Sequence, residues 1–384
     1  MNQFDIITPE QIQNGEATDA YFERTEEALK YAGKNPNVVA EITADQFAEG
    51  EFEIFSGLKD AAQLLEKDGL TVDAVPEGTA FNGGPVMRIE GNYLDFARWE
   101  TSLLGFLSHA SGMATAALEC SRAAVDPENG EKTPVLSFGS RHVHPSLGAM
   151  VERSALIGGV SGFSNVAAGD ILTQEATGTM PHALMLSFGE GNQEEAWKAF
   201  DEGVSEDIPR IVLADTFNDE IDEVMRAVDE LGERLDGVRL DTTGSRRGDF
   251  KHIVREVNFK LKECGRSDVD VFVSGGIGPD NIRKMRDVVD GFGVGGYIVD
   301  ADTVDFSLDI VEIEGEKISK RGKLSGVKEV YRVDGQHVVV PKETDVDAEP
   351  LLQPLIEDGE CVREFSIEKS ASCAWTDAER VGFE

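Results

Sequence analysis

Between about residues 134 and 300, short apolar runs alternate with longer segments in which apolar residues recur at helical spacing. The runs are PVLSF (134–138), GVSGFSN (159–165), RIVLAD (210–215), GVRLD (237–241), VDVFVSG (269–275) and FGVGGYIV (292–299). This alternation predicts strands and helices in turn, and hence an α/β fold with a parallel sheet, either a barrel or a doubly wound sheet.

Two of the intervening helices have clear starting points. Apolar residues fall at helical spacing after Asn218 and again after Asp249. Asn and Asp are favoured N-cap residues, so we expect a helix to begin at each of them. Pro279 suits the first turn of a third helix.

Polar or glycine-rich residues follow each of the predicted strands. They are GSRH (139–142), TGTMPH (177–182), DT (215–216), DTT (241–243), SGG (274–276) and GVGG (293–296). In a barrel, the carboxyl ends of all strands lie on one face, and such folds build their active sites there. We therefore expect these residues to converge on one functional rim.

The regions on either side of this pattern are organised differently. Residues 1–115 predict an α+β domain with strands at 38–44, 70–75 and 85–91 and helices near 20–32 and 57–67, followed by a long helix from Tyr93. The barrel would then occupy 116–303. In 304–384 the strand-like runs IVEIEGEKI and QHVVVP come first and a loop-like stretch follows. We expect this last segment to complete or cover the sheet of the first domain.

The charge balance excludes two classes of partner. The chain has 36 Lys plus Arg against 73 Asp plus Glu, a net charge of −37. So acidic a surface repels nucleic acid and anionic membranes. Because the acids are dispersed and 40% of the residues are apolar, disorder is a poor explanation. Adaptation to a high-salt cytoplasm fits better, since salt screens the self-repulsion of the chain.

Nothing in the sequence indicates a membrane span, a secretion signal or a structural metal. No run of 18 apolar residues occurs, and the start, MNQFDIITPE, has neither a basic region nor an apolar one. The cysteines are scattered, at Cys120, Cys264, Cys361 and Cys373, with no C-x-x-C pair. We therefore expect a cytoplasmic protein without disulfides.

Two glycine clusters are candidate phosphate sites. Ser274-Gly275-Gly276 ends one predicted strand, and the 293–296 cluster lies at the next. Adjacent glycines let backbone N–H groups approach an anion, and barrels commonly bind phosphate after their final strands. The alternative is that both clusters are simply tight turns.

Two carboxylates and several cations complete the candidate rim. Asp215 and Asp241 would bind ribose hydroxyls, hold Mg²⁺ or stabilise positive charge on a sugar ring; the alternative for each is a helix N-cap. Cationic side chains follow two of the strands, namely Arg141, His142, His144, Arg246 and Arg247. Arg pairs bidentately with carboxylate or phosphate, and the alternative is a salt bridge to a surface acid.

These same segments resemble a known family. FGSRHVHPSLGAMVERSALIGGVSGFSN, GTMPHALML, LADTFNDE, GVRLDTTGSRRGDF and FVSGGI are similar to the archaeal nicotinate phosphoribosyltransferases. WETSLLGFLSHASGMAT resembles a helix shared with quinolinate phosphoribosyltransferases, and the similarity extends over about residues 16–335. The resemblance implies an N-terminal α/β sandwich domain and an incomplete barrel of roughly seven strands.

The resemblance also implies a function. The substrates would be nicotinate and phosphoribosyl pyrophosphate (PRPP), with Mg²⁺ as cofactor and ATP as co-substrate. The product would be nicotinate mononucleotide for NAD salvage, in a coupled reaction formally classed as a ligase. A homo-oligomer is expected, because active sites in this family lie near a subunit interface.

Individual roles follow from the matched positions. Tyr21 and Phe138 would sandwich the pyridine ring, with Thr179 nearby, and Arg141 would bind the nicotinate carboxylate or pyrophosphate. Asp241 would support the ribose and His182 would couple ATP, so the catalytic set is Asp241, Arg141 and His182. The residues assigned to phosphate and PRPP are Ser274, Gly275, Gly276, Gly295, Gly296, Asp215, His142 and Arg246.

The chain departs from the family pattern in two places. Arg141-His142 stands where bacterial and animal relatives have Arg-Arg. Some archaeal relatives carry a cysteine-rich zinc knuckle near the C-terminus, whereas Cys361 and Cys373 are too few for a four-ligand site, so no zinc is expected.

Two other functions remain as alternatives. Quinolinate phosphoribosyltransferase shares the fold, but GTMPHAL and the length of the chain argue against it. The second alternative is a barrel that binds phosphorylated sugars without catalysis. The presence of Asp241 and Arg141 argues against this alternative.

Overall fold

The computed structural model describes residues 4–44, 47–48 and 50–383. The chain divides into two compact units. Unit 1 contains the residues up to 118, the short segment 153–159 and the residues from 301 onward. Unit 2 contains residues 119–152 and 160–300.

Strands and helices are numbered in chain order. The strands are β1 (Asn37–Ala44), β2 (Glu53–Ile54), β3 (Thr71–Ala74), β4 (Ala80–Phe81), β5 (Met87–Asn92), β6 (Val135–Ser137), β7 (Gly162–Phe163), β8 (Ile211–Leu213), β9 (Gly237–Leu240), β10 (Asp270–Val273), β11 (Gly291–Val294), β12 (Phe306–Ile313), β13 (Glu316–Lys317), β14 (Lys328–Val333), β15 (Gln336–Pro341), β16 (Gln353–Glu357) and β17 (Glu360–Cys361). The helices are α1 (Pro9–Gln13), α2 (Ala20–Tyr31), α3 (Leu58–Leu65), α4 (Glu100–Ala123), α5 (Gly148–Ile157), α6 (Val166–Leu172), α7 (His182–Phe188), α8 (Gln193–Gly203), α9 (Glu220–Leu231), α10 (Gly244–Arg247), α11 (Phe250–Glu263), α12 (Pro279–Met285), α13 (Gly296–Val299) and α14 (Ile367–Val381).

Unit 1 is built on an antiparallel sheet with the strand order β13-β12-β1-β5-β3-β16-β17. Its strand β1 pairs with β12 on one side and β5 on the other. Strands from 306–361 therefore share the sheet with strands from 37–92, so that both ends of the chain contribute to one core.

The core of unit 1 lies between this sheet and helices α3 and α4. Along β1, Val38, Ala40 and Ile42 alternate toward the core, as the two-residue repeat of a strand requires. From α4, Leu103 and Leu107 enter the same cluster one helical turn apart. This apolar layer joins helices from the first part of the chain to strands from both of its ends.

The C-terminal segment differs from the loop-like stretch that the sequence predicts. Helix α14 begins after Ser366, whose side chain accepts a hydrogen bond from the backbone N–H of Lys369. The helix buries Ala374 and Ala378 completely, together with the carboxylate of Asp377. Because the buried face is made of small and polar residues, it lacks the large apolar residues at helical spacing from which a helix is predicted.

Unit 2 is built on a parallel sheet with the strand order β7-β6-β11-β10-β9-β8. All of the predicted strands between 134 and 300 are present, and the α/β fold class is confirmed. The sheet has six strands rather than about seven. In the part of the chain that the structure describes, its edge strands β7 and β8 do not pair with each other, so the barrel is incomplete.

Several boundaries shift relative to the prediction. Helix α9 is capped by Asp219, whose side chain accepts from Asp222 N, and not by Asn218. Asp249 caps α11 and Pro279 opens α12, as predicted. Strand β11 ends at Val294, and the remainder of the predicted strand forms α13. Among the described residues, no helix combines the length and apolar character that a bilayer span requires.

Removal of the Asp377 carboxylate should destabilise unit 1. This carboxylate, 5% exposed, accepts from Ala80 N at 3.0 Å and from Arg332 Nη2 at 2.7 Å. Asp377→Ala would leave a largely buried arginine without its counter-charge, so we expect a loss of about 3 kcal/mol in the free energy of unfolding. Urea denaturation in high salt measures the change. Glu379→Ala, on the exposed face of α14, is the control, and equal effects of the two variants would contradict the prediction.

Candidate active site

The polar residues that follow the strands of unit 2 meet at one edge of the parallel sheet. Strands β8, β9 and β10 are in parallel register, with Ile211 and Asp270 both opposite Gly237. Because parallel strands place their carboxyl ends together, the loops that follow these strands are neighbours. Side chains from these loops are therefore within reach of one another.

His182, at the start of α7, lies between two carboxylates. Its Nε2 is 3.0 Å from Asp215 Oδ1, and its Nδ1 is 3.9 Å from Asp241 Oδ2. The hydrogen bond to Asp215 raises the pKa of His182 above its usual value; burial opposes the shift, and the charges of Asp215 and Asp241 add to it. Asp215 therefore both orients the imidazole and stabilises its protonated form.

Asp215 is itself held firmly. Its side chain is 1% exposed, and its Oδ2 accepts from Asp241 N at 2.5 Å and from Thr242 Oγ1 at 3.3 Å. The loop after it is wrapped around the buried carboxylate of Glu223, which accepts the backbone N–H groups of residues 216, 217 and 218 at 2.8–2.9 Å. The strand ends after β8 and β9 are thereby fixed to each other.

Arg239, in the middle of β9, lies beside the ring of Phe138. Its guanidinium carbon is 5.8 Å from the ring centroid, and its terminal nitrogens donate to Ser274 Oγ at 3.2 Å and to Met180 O at 2.7 Å. Its Nε is buried and has no acceptor in the described part of the chain. Burial lowers the pKa of this guanidinium, while Asp241 and Asp215 oppose the shift. Arg239 is thus a half-buried cation whose Nε is buried without an acceptor.

Arg239 is absent from the residues that the sequence assigns to the site. Its signal is visible in GVRLD, where a charged residue interrupts an apolar strand. Such a residue on a barrel strand is either exposed or directed at a partner inside the barrel.

Phe138 lies against β11 because residue 293 has no side chain. A Cβ atom on Gly293 would come within 2.4 Å of the Phe138 ring. One side of the ring is therefore in contact with the backbone of β11. Residue 293 must be glycine for this contact.

The turn after β10 presents backbone donors. Gly275 and Gly276 both have left-handed φ angles, +83° and +63°. Neither of their N–H groups has an acceptor in the part of the chain that the structure describes. A Cβ atom on Gly275 would lie 2.4 Å from Asp241 Oδ1, so this carboxylate lies directly against the turn. Consecutive free N–H groups of this kind suit an anion such as phosphate.

The turn after β11 lies close to His142. The N–H groups of Gly295 and Gly296 likewise have no acceptor among the described residues. A Cβ atom on Gly295 would lie 3.5 Å from His142 Nε2. This second turn therefore combines two free donors with an imidazole.

Other residues assigned from the sequence are not connected to this network. The Arg141 and Arg246 side chains are not buried and make no hydrogen bond or ion pair with any described residue. Thr179 lies beside Met180, and its hydroxyl has no such contact either. Tyr21 belongs to unit 1, where it is 56% exposed on α2. The roles given to these residues remain predictions.

Family models agree with this architecture. The description "Quinolinate phosphoribosyl transferase, N-terminal domain" matches residues 19–111, and the corresponding C-terminal domain matches residues 113–309. Together they extend over most of the chain, with a boundary near the middle of α4.

Among characterised proteins, the chain is similar to nicotinate phosphoribosyltransferases. It is 28% identical over 324 residues to pncB2 of Mycobacterium tuberculosis H37Rv, which is 79% of this chain and 66% of that protein. It is 28% identical over 275 residues to the Bacillus subtilis enzyme, or 67% of this chain and 54% of that protein. The chain therefore spans about half to two thirds of the length of these relatives.

Solved structures show the same fold. The crystal structure of nicotinate-nucleotide pyrophosphorylase from Pyrococcus furiosus aligns over 100% of both chains with 44% identity and a TM-score of 0.92. Human nicotinic acid phosphoribosyltransferase aligns over 94% of both chains with a TM-score of 0.73, and at 20% identity this shows the fold alone.

The raised pKa of His182 depends on Asp215, and the variant Asp215→Asn tests this. Loss of the carboxylate removes the hydrogen bond that favours the imidazolium form, so the His182 pKa should fall toward its ordinary value of about 6.5 or below. NMR titration of the histidine ring protons measures it, and His182→Ala identifies the resonance. An unaltered His182 midpoint would contradict the assignment.

Proposed function

The chain belongs to the quinolinate phosphoribosyl transferase family, and on that premise we propose that it transfers the phosphoribosyl group of PRPP to nicotinate. The observation that carries the proposal is the Phe138–Arg239 pair, which lies beside the two carboxylates and the glycine turns. An aromatic face with an adjacent half-buried cation suits a pyridine ring that bears a carboxylate. The products would be nicotinate mononucleotide and pyrophosphate.

Arg239 is the nicotinate-binding cation in this proposal. Its unpartnered Nε lies near the aromatic face, and an incoming carboxylate would supply the acceptor that Nε lacks. The same anion would also stabilise the charge of a guanidinium whose pKa is lowered by burial. Arg141 would then bind the pyrophosphate, which agrees with the exposed position of Arg141 on the loop after Phe138.

The two glycine turns would bind the 5′-phosphate of PRPP, and Asp241 would lie beside the ribose. Asp241 Oδ1 lies against Gly275, which supports a position for this carboxylate beside a ribose whose 5′-phosphate the turn would bind. As the bond from C1 to pyrophosphate breaks, the ring gains positive charge, and a fixed carboxylate stabilises that charge. Nicotinate, held on Phe138, supplies the nitrogen that forms the new bond.

Mg²⁺ is proposed as part of the PRPP complex. The described residues contain no group of three or more His, Cys, Asp or Glu side chains that could hold a metal. Mg²⁺ commonly uses one or two carboxylates together with substrate phosphates, and the pyrophosphate supplies such oxygens. Arg141 and His142 would share the charge of that departing group.

His182 is proposed to couple ATP to the transfer. In the neutral ring with Nε2–H donating to Asp215, Nδ1 carries the lone pair that would attack the γ-phosphate of ATP. A bond from Nδ1 to phosphorus would form as the bond to ADP breaks. Asp215 would stabilise the positive charge that develops on the ring.

A homo-oligomer is part of the proposal. Tyr21 is exposed on unit 1 of the isolated chain, although the family resemblance assigns it to the pyridine ring. A second copy at that surface would bury this ring.

The function is tested by a comparison of two acids. Nicotinate or quinolinate is incubated with PRPP and Mg²⁺ in high salt, with and without ATP, and nicotinate mononucleotide and CO₂ are measured. We expect product from nicotinate and no CO₂. Release of CO₂ from quinolinate would establish the rival activity, and PRPP binding without turnover of either acid would indicate a non-catalytic barrel.

Arg239→Met should impair the use of nicotinate selectively. Methionine keeps much of the length of the side chain but removes every donor, so kcat/KM for nicotinate should fall by about 10- to 100-fold. Because Arg239 also donates to Ser274 Oγ, the KM for PRPP should change too, but by a smaller factor than kcat/KM for nicotinate. Arg255→Met, which removes an exposed cation paired with Asp287, is the control. A normal kcat/KM for nicotinate would place the carboxylate elsewhere.

His182→Ala should uncouple ATP from the transfer. Without a phosphoryl acceptor, ATP consumption should fall, while some ATP-independent synthesis remains. The measurement is the ATP consumed per nicotinate mononucleotide formed. If ATP stimulates the variant as strongly as the parent chain, the coupling role is wrong and His182 is structural.

A further inference from the structure

We propose that Arg247 is a positioning residue that holds the glycine turn after β10 in the orientation required for phosphate binding. The inference rests on the proposed function, in which this turn binds the 5′-phosphate of PRPP. Arg247 does not need to touch the phosphate itself. Its role would be to fix the direction of the peptide groups that do.

Arg247 connects the loops that follow two neighbouring strands. Its Nε donates to Thr242 O at 2.9 Å, in the loop after β9. Its Nη2 donates to Ser274 O at 3.3 Å and to Gly275 O at 2.5 Å, in the turn after β10. The guanidinium also lies 4.5 Å from the Phe250 ring centroid, which limits its movement. One planar cation therefore holds three backbone carbonyls.

The direction of these carbonyls determines the direction of the N–H groups. In a trans peptide, C=O and N–H point to opposite sides of the chain. Since Arg247 draws Ser274 O and Gly275 O toward itself, the N–H groups of Gly275 and Gly276 point away from it. These are the two groups without an acceptor in the described part of the chain. The result is a pair of donors facing the same side, which suits an anion.

The two glycines explain why the turn needs such a clamp, by which we mean the hydrogen bonds from Arg247 to the three backbone carbonyls. Gly275 must lack a side chain, because a Cβ atom would meet Asp241 Oδ1 at 2.4 Å, and both glycines have left-handed φ angles. Two adjacent glycines have the greatest backbone freedom, so an unclamped turn would lose entropy when it binds phosphate. In other orientations the same turn would present carbonyl oxygens that repel the anion.

The chemistry of arginine suits this role. A guanidinium offers several N–H donors in a fixed plane, whereas the single ammonium of lysine cannot reach carbonyls on two loops in that geometry. Arg247→Lys therefore keeps the positive charge but breaks the clamp. Arg247→Ala removes both.

The test compares these two variants of the full-length chain, with Arg255→Ala as a charge-matched surface control. The probe is ribose 5-phosphate, which carries the 5′-phosphate without pyrophosphate, and calorimetry in high salt measures its Kd. We expect both Arg247 variants to bind it about 10-fold or more weakly, which is about 1.4 kcal/mol. In steady-state assays their KM for PRPP should rise while the KM for nicotinate stays within about twofold.

The outcomes separate the clamp from other roles. If Arg247→Lys binds ribose 5-phosphate as the parent does, charge alone suffices and the clamp is wrong. If affinity for both substrates falls equally, Arg247 is generally structural and the proposal is also wrong. Because ribose 5-phosphate binding needs no turnover, a parent chain that binds it through Arg247 but makes no nicotinate mononucleotide would refute the proposed function alone.

Discussion

The parallel register of strands in unit 2 is the constraint on which the candidate site depends. Each strand is only two to four residues long, so the loops that follow them begin at nearly the same level. The site contacts then run from one strand end to another: Asp215 to the backbone of Asp241, Arg239 to Ser274 and Arg247 to Gly275. A shift in the register of one strand would separate several of these partners at once.

The site must bind anions although the chain as a whole is strongly negative. A protein with a net charge of −37 repels an anionic substrate unless positive charge is concentrated locally. Among the described residues, Arg239 and Arg247 form no salt bridge with a carboxylate; both donate to neutral oxygens instead. Neither charge is neutralised by a direct ion pair, although the carboxylates of Asp215 and Asp241 are near enough to act on both. Both guanidinium groups are half-buried, so water screens their charge less than it screens that of a fully exposed arginine.

The sequence predicts the α/β class and every strand of the parallel sheet, because apolar runs and helical spacing are local signals. It misses α14, whose buried face is formed by alanines and an aspartate, and the N-cap of α9, where Asn218 and Asp219 are equally suitable caps. For the site, the sequence predicts functional residues mostly in the loops that follow the strands. Arg239 lies within a strand, and the role proposed for it depends on Phe138, about a hundred residues away along the chain. No local pattern contains that contact.

The proposed activity is the transfer of a phosphoribosyl group between pyrophosphate and nicotinate at this rim. The reverse reaction is its sharpest test, since it needs neither ATP nor a second carboxylate. Nicotinate mononucleotide and Mg²⁺ pyrophosphate are incubated with the protein in high salt, and free nicotinate and PRPP are measured. We expect both to appear in equal amounts and Asp241→Asn to abolish their formation. If the parent chain releases neither product yet forms CO₂ from quinolinate and PRPP, the assignment to nicotinate is contradicted.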